Sequence, residues 1–281
     1  MASEATYAAF ASMLPKIYDV ALMTLREMSV AAPLVTVAGD KTGLAPRIIG
    51  SYSGGTVQTI AETDDMSAQA WAAAAGGTIT PTIKGAEYFI NDTLIESGDQ
   101  RAAADAATDL GNILAEKRDV DLVALFSSFT GGTVGTAGGT LTWQNVMRAG
   151  AYLRANKVPA PYVCVLRPEQ WYHLTSATSG VPTLLPSQNF MNGLFNTNTF
   201  FQGGYGDMGF FIDANITSGT AAVAGMFGRQ AILLDNRRGF RLATQRDESR
   251  GAGGWELIAS TIYIAGIQRA THGVEMIGTS A

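Results

Sequence analysis

The feature that most restricts the fold of this chain is residues 51–90, which cannot bury themselves. Their tip, "ETDDMSAQAWAAAAGG", passes from an acidic cluster into an alanine run that carries Trp71. The flanking segments "GTVQTIAET" and "TITPTIKGAEYFI" have the composition of strands, and in the second one apolar and polar side chains alternate. The sequence therefore predicts a long β-hairpin whose two strands are residues 55–63 and 78–90.

A two-stranded hairpin is only marginally stable in water when nothing covers it. Pro81 places the second strand at the edge of a sheet, because proline cannot donate a hydrogen bond to a central ladder. We therefore expect the hairpin to lie on another surface, where Trp71 is an anchor and the small alanines allow close approach.

The N-terminal part of the chain has the same property. Residues 3–28 show a helical spacing of apolar side chains, among them Phe10 and Leu14, which Pro15 interrupts. The sequence that follows has no durable period and is rich in turn residues. It predicts a short helix and an extended arm that has no core of its own.

A very long helix is predicted directly after the hairpin, in "SGDQRAAADAATDLGNILAEKRDVDLVALFSSF". Ser97 and Asp99 are candidates for its N-terminal cap, and about 28 residues at the usual rise give a helix about 40 Å long. Its apolar residues recur three, four or seven positions apart. The predicted inward stripe is Ala103, Ala106, Leu110, Ile113, Val120 and Val123.

The remaining sequence predicts further helices and then mainly strands. Thr142 caps a helix in "TWQNVMRAGAYLRANK", and "PYVCVLRPEQWYHL" reads as a buried strand followed by a helix that begins at Pro168. Residues 180–208 are rich in loop signals. The strands predicted after them are "FFIDANI", "AVAGMF", "QAILLDN", "GFRLATQ", "WELIASTIYIAGIQ" and "GVEMIG".

The low proportion of charged residues limits the classes of protein to which this chain can belong. Only 15% of the 281 residues are charged, against about 25% in an average domain. This favours a subunit that buries much of its surface against other subunits. A large monomeric β-rich enzyme has the same composition, so the sequence leaves both classes open at this point.

The charge pattern limits the partners. The net charge of −5 and the lack of a basic run leave only weak, non-specific contact with nucleic acid. No apolar run approaches the ~18 residues of a membrane span, and the N-terminus "MASEATYAAF" lacks the basic region of a signal peptide. We expect synthesis in the cytoplasm and no contact with membranes.

The sequence offers no convincing catalytic, cofactor or metal site. "GYGDMG" has the spacing of a dinucleotide loop, but a loop precedes it and a strand follows it, so its glycines are expected in tight turns. His173 and His272 lack the spacing of metal ligands and are expected at the surface. Cys164 is predicted to be a buried apolar residue. A structural role is favoured over an unrecognised hydrolase with scattered carboxylates.

This order of elements resembles the major capsid protein of tailed bacteriophages, the α+β Hong Kong 97-type fold. The matching stretches are "VQTIAETDDM…ITPTIKGAEYFINDTLIESGD", "TWQNVMRAGAYLRAN…YVCVLRPEQWYHL" and "AVAGMFGRQAILLDNRRGFRLATQRDESRGAGGWELIASTIYIAGIQRATHGVEMI". The likeness covers nearly the whole chain and depends on the order and length of elements. It implies a coat protein that self-assembles into an icosahedral shell around a double-stranded DNA genome. The alternative is an encapsulin-type shell that houses a cargo enzyme.

The resemblance also implies a division of the chain. Residues 1–50 would be the N-terminal arm, residues 51–90 the extended loop, and residues 141–235 the axial domain. The peripheral domain, with the long spine helix, would combine residues 91–140 and 236–281. The loop would lie across a neighbouring subunit, and the axial domain would gather around the five-fold and quasi-six-fold axes.

Contacts between subunits are therefore expected in the loop and the arm. The candidate residues are Met66, Trp71, Ile79, Ile83, Lys84 and Glu87 in the loop and Phe10 and Leu14 in the arm. Some members of the family crosslink their shells through a lysine of the loop. That crosslink is not expected here, because no lysine lies between Lys41 and Lys84 and Lys84 belongs to the returning strand.

The resemblance implies partners as well. Copies of the chain would form hexamers and pentamers, and the scaffolding protein is expected to be a separate chain because no long segment precedes the arm. A portal and a decoration protein are further candidates. The expected location is the virion capsid, after assembly in the host cytoplasm, and no cofactor is expected.

Overall fold

The computed structural model describes part of the chain, and the account below is confined to that part. The described residues are 30–53, 57–62, 65–66, 68, 72–74, 77–93, 102–176, 201–249 and 253–280. The helix predicted within residues 3–28 and the cap candidates Ser97 and Asp99 lie outside these ranges.

The regular elements follow the chain in the predicted order. The strands are β1 (Thr36–Ala38), β2 (Arg47–Ile48), β3 (Ser51–Ser53), β4 (Ala72–Ala74), β5 (Thr78–Ile79), β6 (Thr82–Asn91), β7 (Thr133–Gly135), β8 (Tyr162–Leu166), β9 (Phe201–Tyr205), β10 (Met208–Ile212), β11 (Ala222–Gly228), β12 (Ile232–Asp247), β13 (Gly254–Ile267) and β14 (Gly273–Gly278). The α-helices are α1 (Ala102–Val123), α2 (Trp143–Ala155) and α3 (Pro168–Thr175). The long helix, β6, β10, β11, β13 and β14 agree with the sequence prediction, whereas "QAILLDN" and "GFRLATQ", predicted as two strands, form the single strand β12.

Within the described ranges the strands form two larger sheets and two small strand pairs. The four-stranded sheet has the order β1-β12-β13-β6, and the six-stranded sheet has the order β7-β14-β11-β8-β10-β9. The long strands β12 and β13 are antiparallel to each other, and β6 pairs antiparallel with β13 at the sheet edge. The edge position predicted from Pro81 is therefore confirmed for β6, which begins directly after that residue.

The long helix α1 packs on one face of the four-stranded sheet. Leu110 and Leu114, one turn apart, are buried against Leu257 of β13 and its neighbours. The predicted stripe is wrong at Ile113 and Val120, which are exposed. Ile113 precedes Leu114 by one position, which turns it about 100° round the helix and away from the sheet.

The six-stranded sheet has the larger core. Phe126, which follows α1 in a 3-10 turn, packs its ring 5.7 Å from that of Phe129 and 5.5 Å from that of Phe227. The side-chain oxygen of Thr142 accepts a 3.4 Å hydrogen bond from the N–H of Asn145, as predicted for the cap of α2. These apolar contacts between distant segments unite α1, α2 and the sheet in one core.

Two strands lie in a different sheet from the one that packs on the long helix. Strands β7 and β14 belong to the six-stranded sheet, although the division expected from the sequence groups residues 91–140 and 236–281 with that helix. The reason is pairing: β14 lies antiparallel to β11 from Ala222 to Phe227 and fills the core with Val274. Strand pairing at this distance leaves no trace in the local pattern of the sequence.

The arm also differs from its prediction within the described residues. Strand β1 pairs in parallel with β12, and Val35 just before it is fully buried in the main core. Residues 30–38 therefore lie on the main core of their own chain, which supplies the surface that the sequence predicts they need. Nearly all of residues 30–38 are apolar, in a run with neither a helical nor a two-residue period, so a period search does not detect a strand that needs a partner from residue 232 onward.

The hairpin begins earlier than predicted. Residues 57–62 form no strand, and Val57 is fully exposed. Instead β2 pairs with β5 and β3 pairs with β4, so the outgoing side is residues 47–53. Val57 and Ile60 are three positions apart, and a strand that buries one face needs apolar residues at a spacing of two.

Candidate functional site

The described ranges contain no group of three or more His, Cys, Asp or Glu side chains that could hold a metal ion. Gly206, with a φ of 60°, lies in the turn that joins β9 to β10, so "GYGDMG" forms a strand, a turn and a strand. That confirms the turn predicted in place of a dinucleotide loop. No helix among these residues is long and apolar enough to cross a membrane.

The titratable side chains singled out in the sequence are structural. Cys164 is fully buried in β8, and burial raises the pKa of its thiol, which disfavours the reactive thiolate. His272 is buried in a 3-10 turn, contrary to its predicted surface position, and burial beside Arg269 lowers the pKa of its imidazole. Both groups are held in their neutral forms inside the fold.

The unusual feature of the structure is the ribbon, which we define as residues 47–79 with the strand pairs β2–β5 and β3–β4. Several of its described apolar side chains lack a core: Ile48 is 68% exposed, Met66 is 76% exposed and Val57 is fully exposed. Exposed apolar side chains in one projecting element are typical of a surface that binds another protein. The ribbon is therefore the best candidate for the functional site.

The base of the ribbon is packed on the four-stranded sheet. Ile49 is buried, and its N–H donates a 3.0 Å hydrogen bond to the carbonyl of Gly77 across the ribbon. Ile79 lies over Gly266 of β13, where a Cβ on the glycine would come within 2.7 Å of the isoleucine Cγ2. A glycine at position 266 thus allows the ribbon to approach the sheet closely.

A buried charge cluster holds the other side of the base. The carboxylate of Asp235, fully buried in β12, accepts hydrogen bonds from Nε of Arg47 at 2.7 Å and from Nε of Arg237 at 2.8 Å. Arg47 also pairs with the exposed Asp40. The hydrogen bonds to the two carboxylates raise the pKa of Arg47 above its usual value, so the cluster stays charged.

The returning strand β6 packs one face on the helix α1 and exposes side chains on its other face. Ala86 and Tyr88 pack towards α1, whereas the intervening Glu87 is exposed. Ile83, opposite Ile262 in the ladder, is 60% exposed. The face of the sheet that lies away from α1 therefore carries an apolar side chain with little cover from the described residues.

Lys84 points to the helix side and is engaged within its own chain. Its Nζ lies 3.6 Å from Oδ2 of Asp121 on α1. Asp121 also accepts a 2.9 Å hydrogen bond from the hydroxyl of Tyr263 and pairs with Lys117 at 2.6 Å. The contacts of Asp121 with Lys84 and Tyr263 therefore connect β6 and β13 to the helix α1.

The predicted contact residues thus fall into three groups. The exposed residues are Met66, Ile83 and Glu87, the half-buried residues are Ile79 and Lys84, and those outside the described residues are Trp71, Phe10 and Leu14. Sequence reasoning missed the exposed Ile48 and Val57. The available signal was the presence of Ile48, Ile49 and Val57 in the turn-rich stretch "APRIIGSYSGGTVQ".

Comparison with known proteins agrees with this architecture. Residues 77–275 match the family described as phage capsid protein. No protein of curated function matches the sequence. The matched range runs from the base of the ribbon into the last strand, so it includes the long helix, nearly all of the six-stranded sheet, and the four-stranded sheet without β1.

Solved structures with the same fold cover most of the chain. The capsid of Ralstonia phage GP4 matches with a TM-score of 0.67 and 13% identity, over 91% of this chain and 90% of that one. The capsid of the cyanophage P-SCSP1u matches with a TM-score of 0.66 and 14% identity, over 91% and 89%. A virus-like particle from Pyrococcus furiosus matches with a TM-score of 0.60 and 11% identity, over 93% and 98%.

Proposed function

The chain belongs to the phage capsid protein family, and we propose that this major capsid protein builds its shell by laying the ribbon on a neighbouring copy. The family is structural, and its members are virion components that assemble into an icosahedral capsid. The proposal extends to the content of the shell, a double-stranded DNA genome that the acidic chain contacts only weakly and without sequence preference.

One observation carries the proposal: the ribbon exposes apolar side chains that the described part of the chain does not cover. Ile48, Val57 and Met66 project from an element whose described strands β2 to β5 form only short pairs. Such a ribbon is marginal in water. A neighbouring copy of the same chain supplies the missing surface, because every copy in a closed shell has a neighbour in the same orientation.

The two sheets supply the regions that the capsid architecture needs. We assign the four-stranded sheet with α1 to the peripheral domain, with α1 as its spine helix, and the six-stranded sheet with α2 and α3 to the axial domain. The assignment differs from the boundaries expected from the sequence, because β7 and β14 join the axial sheet. The axial domains would gather in pentamers and hexamers.

The contact residues follow from exposure. Met66, Ile83 and Glu87 project from the chain and would meet a neighbour, as would Trp71 near the ribbon tip. Phe10 and Leu14 would bind through the arm. Ile79 and Lys84 would support the contact indirectly, since each is packed on or paired with its own sheet and helix.

We propose non-covalent assembly in the host cytoplasm, guided by a separate scaffolding protein. A portal and a decoration protein are further expected partners. Support for non-covalent contact comes from Lys84, whose amino group pairs with Asp121 of its own helix. The sequence contains no lysine between Lys41 and Lys84, and the ribbon lies between these two residues.

The alternative is an encapsulin-type shell that houses a cargo enzyme. The family match is to phage capsid proteins and favours the first function. The two functions predict different contents: a phage shell holds DNA and has a portal at one vertex, whereas a cargo shell holds one defined enzyme. Neighbouring genes for a terminase and a portal would support the phage assignment at little cost.

The decisive experiment is assembly of the purified chain. It is expressed alone and together with the scaffolding protein from its gene neighbourhood, separated by size-exclusion chromatography and imaged by electron microscopy. We expect closed, uniform icosahedral particles in at least one of the two conditions. A chain that stays monomeric in both conditions would contradict the proposed function.

A further inference from the structure

The base of the ribbon is attached to the four-stranded sheet at two separate points. Arg47 and Ile79 are direct cross-strand partners in the β2–β5 pair. Arg47 reaches Asp235 of β12, and Ile79 lies over Gly266 of β13. One attachment point would let the ribbon pivot about it, whereas two points on different strands fix its direction.

The two points lie on the same face of the sheet. In the β12–β13 ladder Asp235 is opposite Ile264, and Ile264 is two positions from Gly266. Residues two positions apart point to the same side of a strand and are separated by about 7 Å. The two attachment points are therefore separate positions on neighbouring strands. Both lie on the face of the sheet opposite to α1.

The two arginines at Asp235 have different roles. Arg237 belongs to the same strand, and its side chain is fully buried beside the carboxylate. It keeps Asp235 paired whatever the position of the ribbon, so loss of Arg47 does not leave a buried charge alone. Of the two arginines only Arg47 belongs to the ribbon, so its bond is the one that connects the ribbon to Asp235.

The second contact of Arg47 does not replace the first. Asp40 lies in the connection between β1 and β2, and its side chain is mostly exposed. An exposed ion pair contributes little, because water screens it and two side chains must be ordered. The buried bond to Asp235 is the strong and directional one.

From this geometry we propose that Arg47 is a positioning residue that fixes the direction of the ribbon in the unassembled subunit. A ribbon held in its bound direction loses less conformational freedom when it meets a neighbour, which favours assembly. The consequence for assembly rests on the proposed function, but the direction of the ribbon is a property of the single chain and can be measured without a shell.

The test measures a distance within unassembled subunits. Spin labels are attached to cysteines introduced at the exposed Val57 and Gln245, and pulsed electron resonance gives the distribution of distances between ribbon and sheet. The buried Cys164 is not accessible to the label. We compare the parent with Arg47→Met, Arg47→Lys and the control Arg241→Met, which changes an exposed arginine of β12, the strand that carries Asp235.

We expect one narrow distribution for the parent and for Arg241→Met. Arg47→Met should broaden or shift it, and Arg47→Lys, which keeps the charge but loses the planar fork, should give an intermediate width. If Arg47→Met folds poorly, the distance distribution of Arg47→Lys still tests the proposal. Distributions of both Arg47 variants that coincide with that of the parent would overturn the proposal.

Assembly gives a second and separate readout. Shells of Arg47→Met should need about tenfold more protein to form than shells of the parent, because the ribbon must be ordered during contact. If the parent forms no shells, the proposed function fails whatever the distances show. If the parent assembles and the distances do not change, only the role of Arg47 fails.

Discussion

The backbone N–H of Val30 donates a 2.7 Å hydrogen bond to Oδ2 of Asp119, a fully buried carboxylate on α1. The two residues are 89 positions apart, and the bond fixes the beginning of the described arm to the spine of the fold. It accounts for the burial of Val30 and Ala31 in a segment whose sequence predicts no structure.

Replacement of Asp119 should release this part of the arm. In Asp119→Ala the N–H of Val30 loses an ionised acceptor, which we expect to lower the free energy of unfolding by about 2 kcal/mol. Hydrogen exchange of residues 30–38 should increase more than that of β13. The control is Glu116→Ala, at an exposed position of the same helix. Equal exchange in both variants would argue against the anchor.

Asp213 should make stability depend on pH. The residue is 2% exposed, and Oδ2 has no hydrogen-bond partner among the described residues, while Oδ1 accepts a 2.8 Å bond from the N–H of Asn215. Burial, with a smaller effect of nearby Asp119, raises the pKa of the Asp213 carboxyl to about 6. The folded state therefore binds this proton more tightly than the unfolded state, where the pKa is about 3.9.

Because the pKa of Asp213 is higher in the folded state, protonation of this carboxyl stabilises the fold. The contribution of Asp213 to stability is fully present below pH ~4 and is lost as pH rises through the folded pKa of about 6, a change of about 3 kcal/mol. Asp213→Asn keeps an oxygen for Asn215 and should be more stable than the parent at pH 7.5 but not at pH 4. Urea unfolding at both pH values checks this, with the exposed Asp207→Asn as the control. Parallel pH profiles of parent and Asp213→Asn would contradict it.

Close packing at Gly225 should tolerate no side chain. A Cβ at this position of β11 would lie 2.8 Å from Cγ of the buried Phe126. Gly225→Ala should therefore lower the free energy of unfolding by about 1–3 kcal/mol, because the aromatic ring has little room to move. Gly239→Ala, where no atom lies within 4 Å, is the matched control. Chemical denaturation of the two variants gives the comparison, and equal values would reject the packing argument.

An acidic residue at Ile83 should stop assembly without unfolding the subunit. Ile83 is mostly exposed, so Ile83→Asp should change the free energy of unfolding by less than about 0.5 kcal/mol. At a packed interface the same charge would be buried without a partner. Particle yield in electron micrographs is the measurement, and Met147→Asp, on the exposed side of α2, is the control. Normal shells of Ile83→Asp would exclude this face from the interface.

Trp71 tests the tip of the ribbon. If the side chain packs on a neighbour, Trp71→Ala should remove about 3 kcal/mol or more from each contact, by analogy with large-to-small changes at packed sites. The subunit should fold but assemble poorly, whereas Gln69→Ala should assemble normally. Normal assembly of the variant, together with tryptophan emission typical of full exposure in parent shells, would reject this contact.

The local sequence predicts several elements because each carries its own signal. The helix α1 has a helical period of apolar residues, β8 is an uninterrupted apolar run, and Pro168 and Thr142 mark the starts of two helices. The ribbon is predicted from the absence of a core, because an alanine-rich tip between strand-like segments cannot bury its own side chains. From such signals the order of elements, and with it the resemblance to capsid proteins, followed.

Pairing between distant segments could not be predicted in the same way. The sequence does not tell that β14 joins β11, or that the outgoing side of the ribbon is residues 47–53 and not residues 55–63. Several strands have similar composition, and the choice among them depends on which faces meet when the whole chain collapses. The exposed Ile48 was missed for this reason.

The sequence by itself determined the identity and order of the main elements and predicted a ribbon without a core of its own, because periodicity and composition are encoded over neighbouring residues. Only the tertiary structure decided which charges meet. Arg47 and Asp235 are 188 positions apart, and neither carries a local signal of the other. Their bond exists because the ladder of β12 and β13 brings a buried carboxylate under the base of the ribbon, where a cation is needed to offset the loss of water.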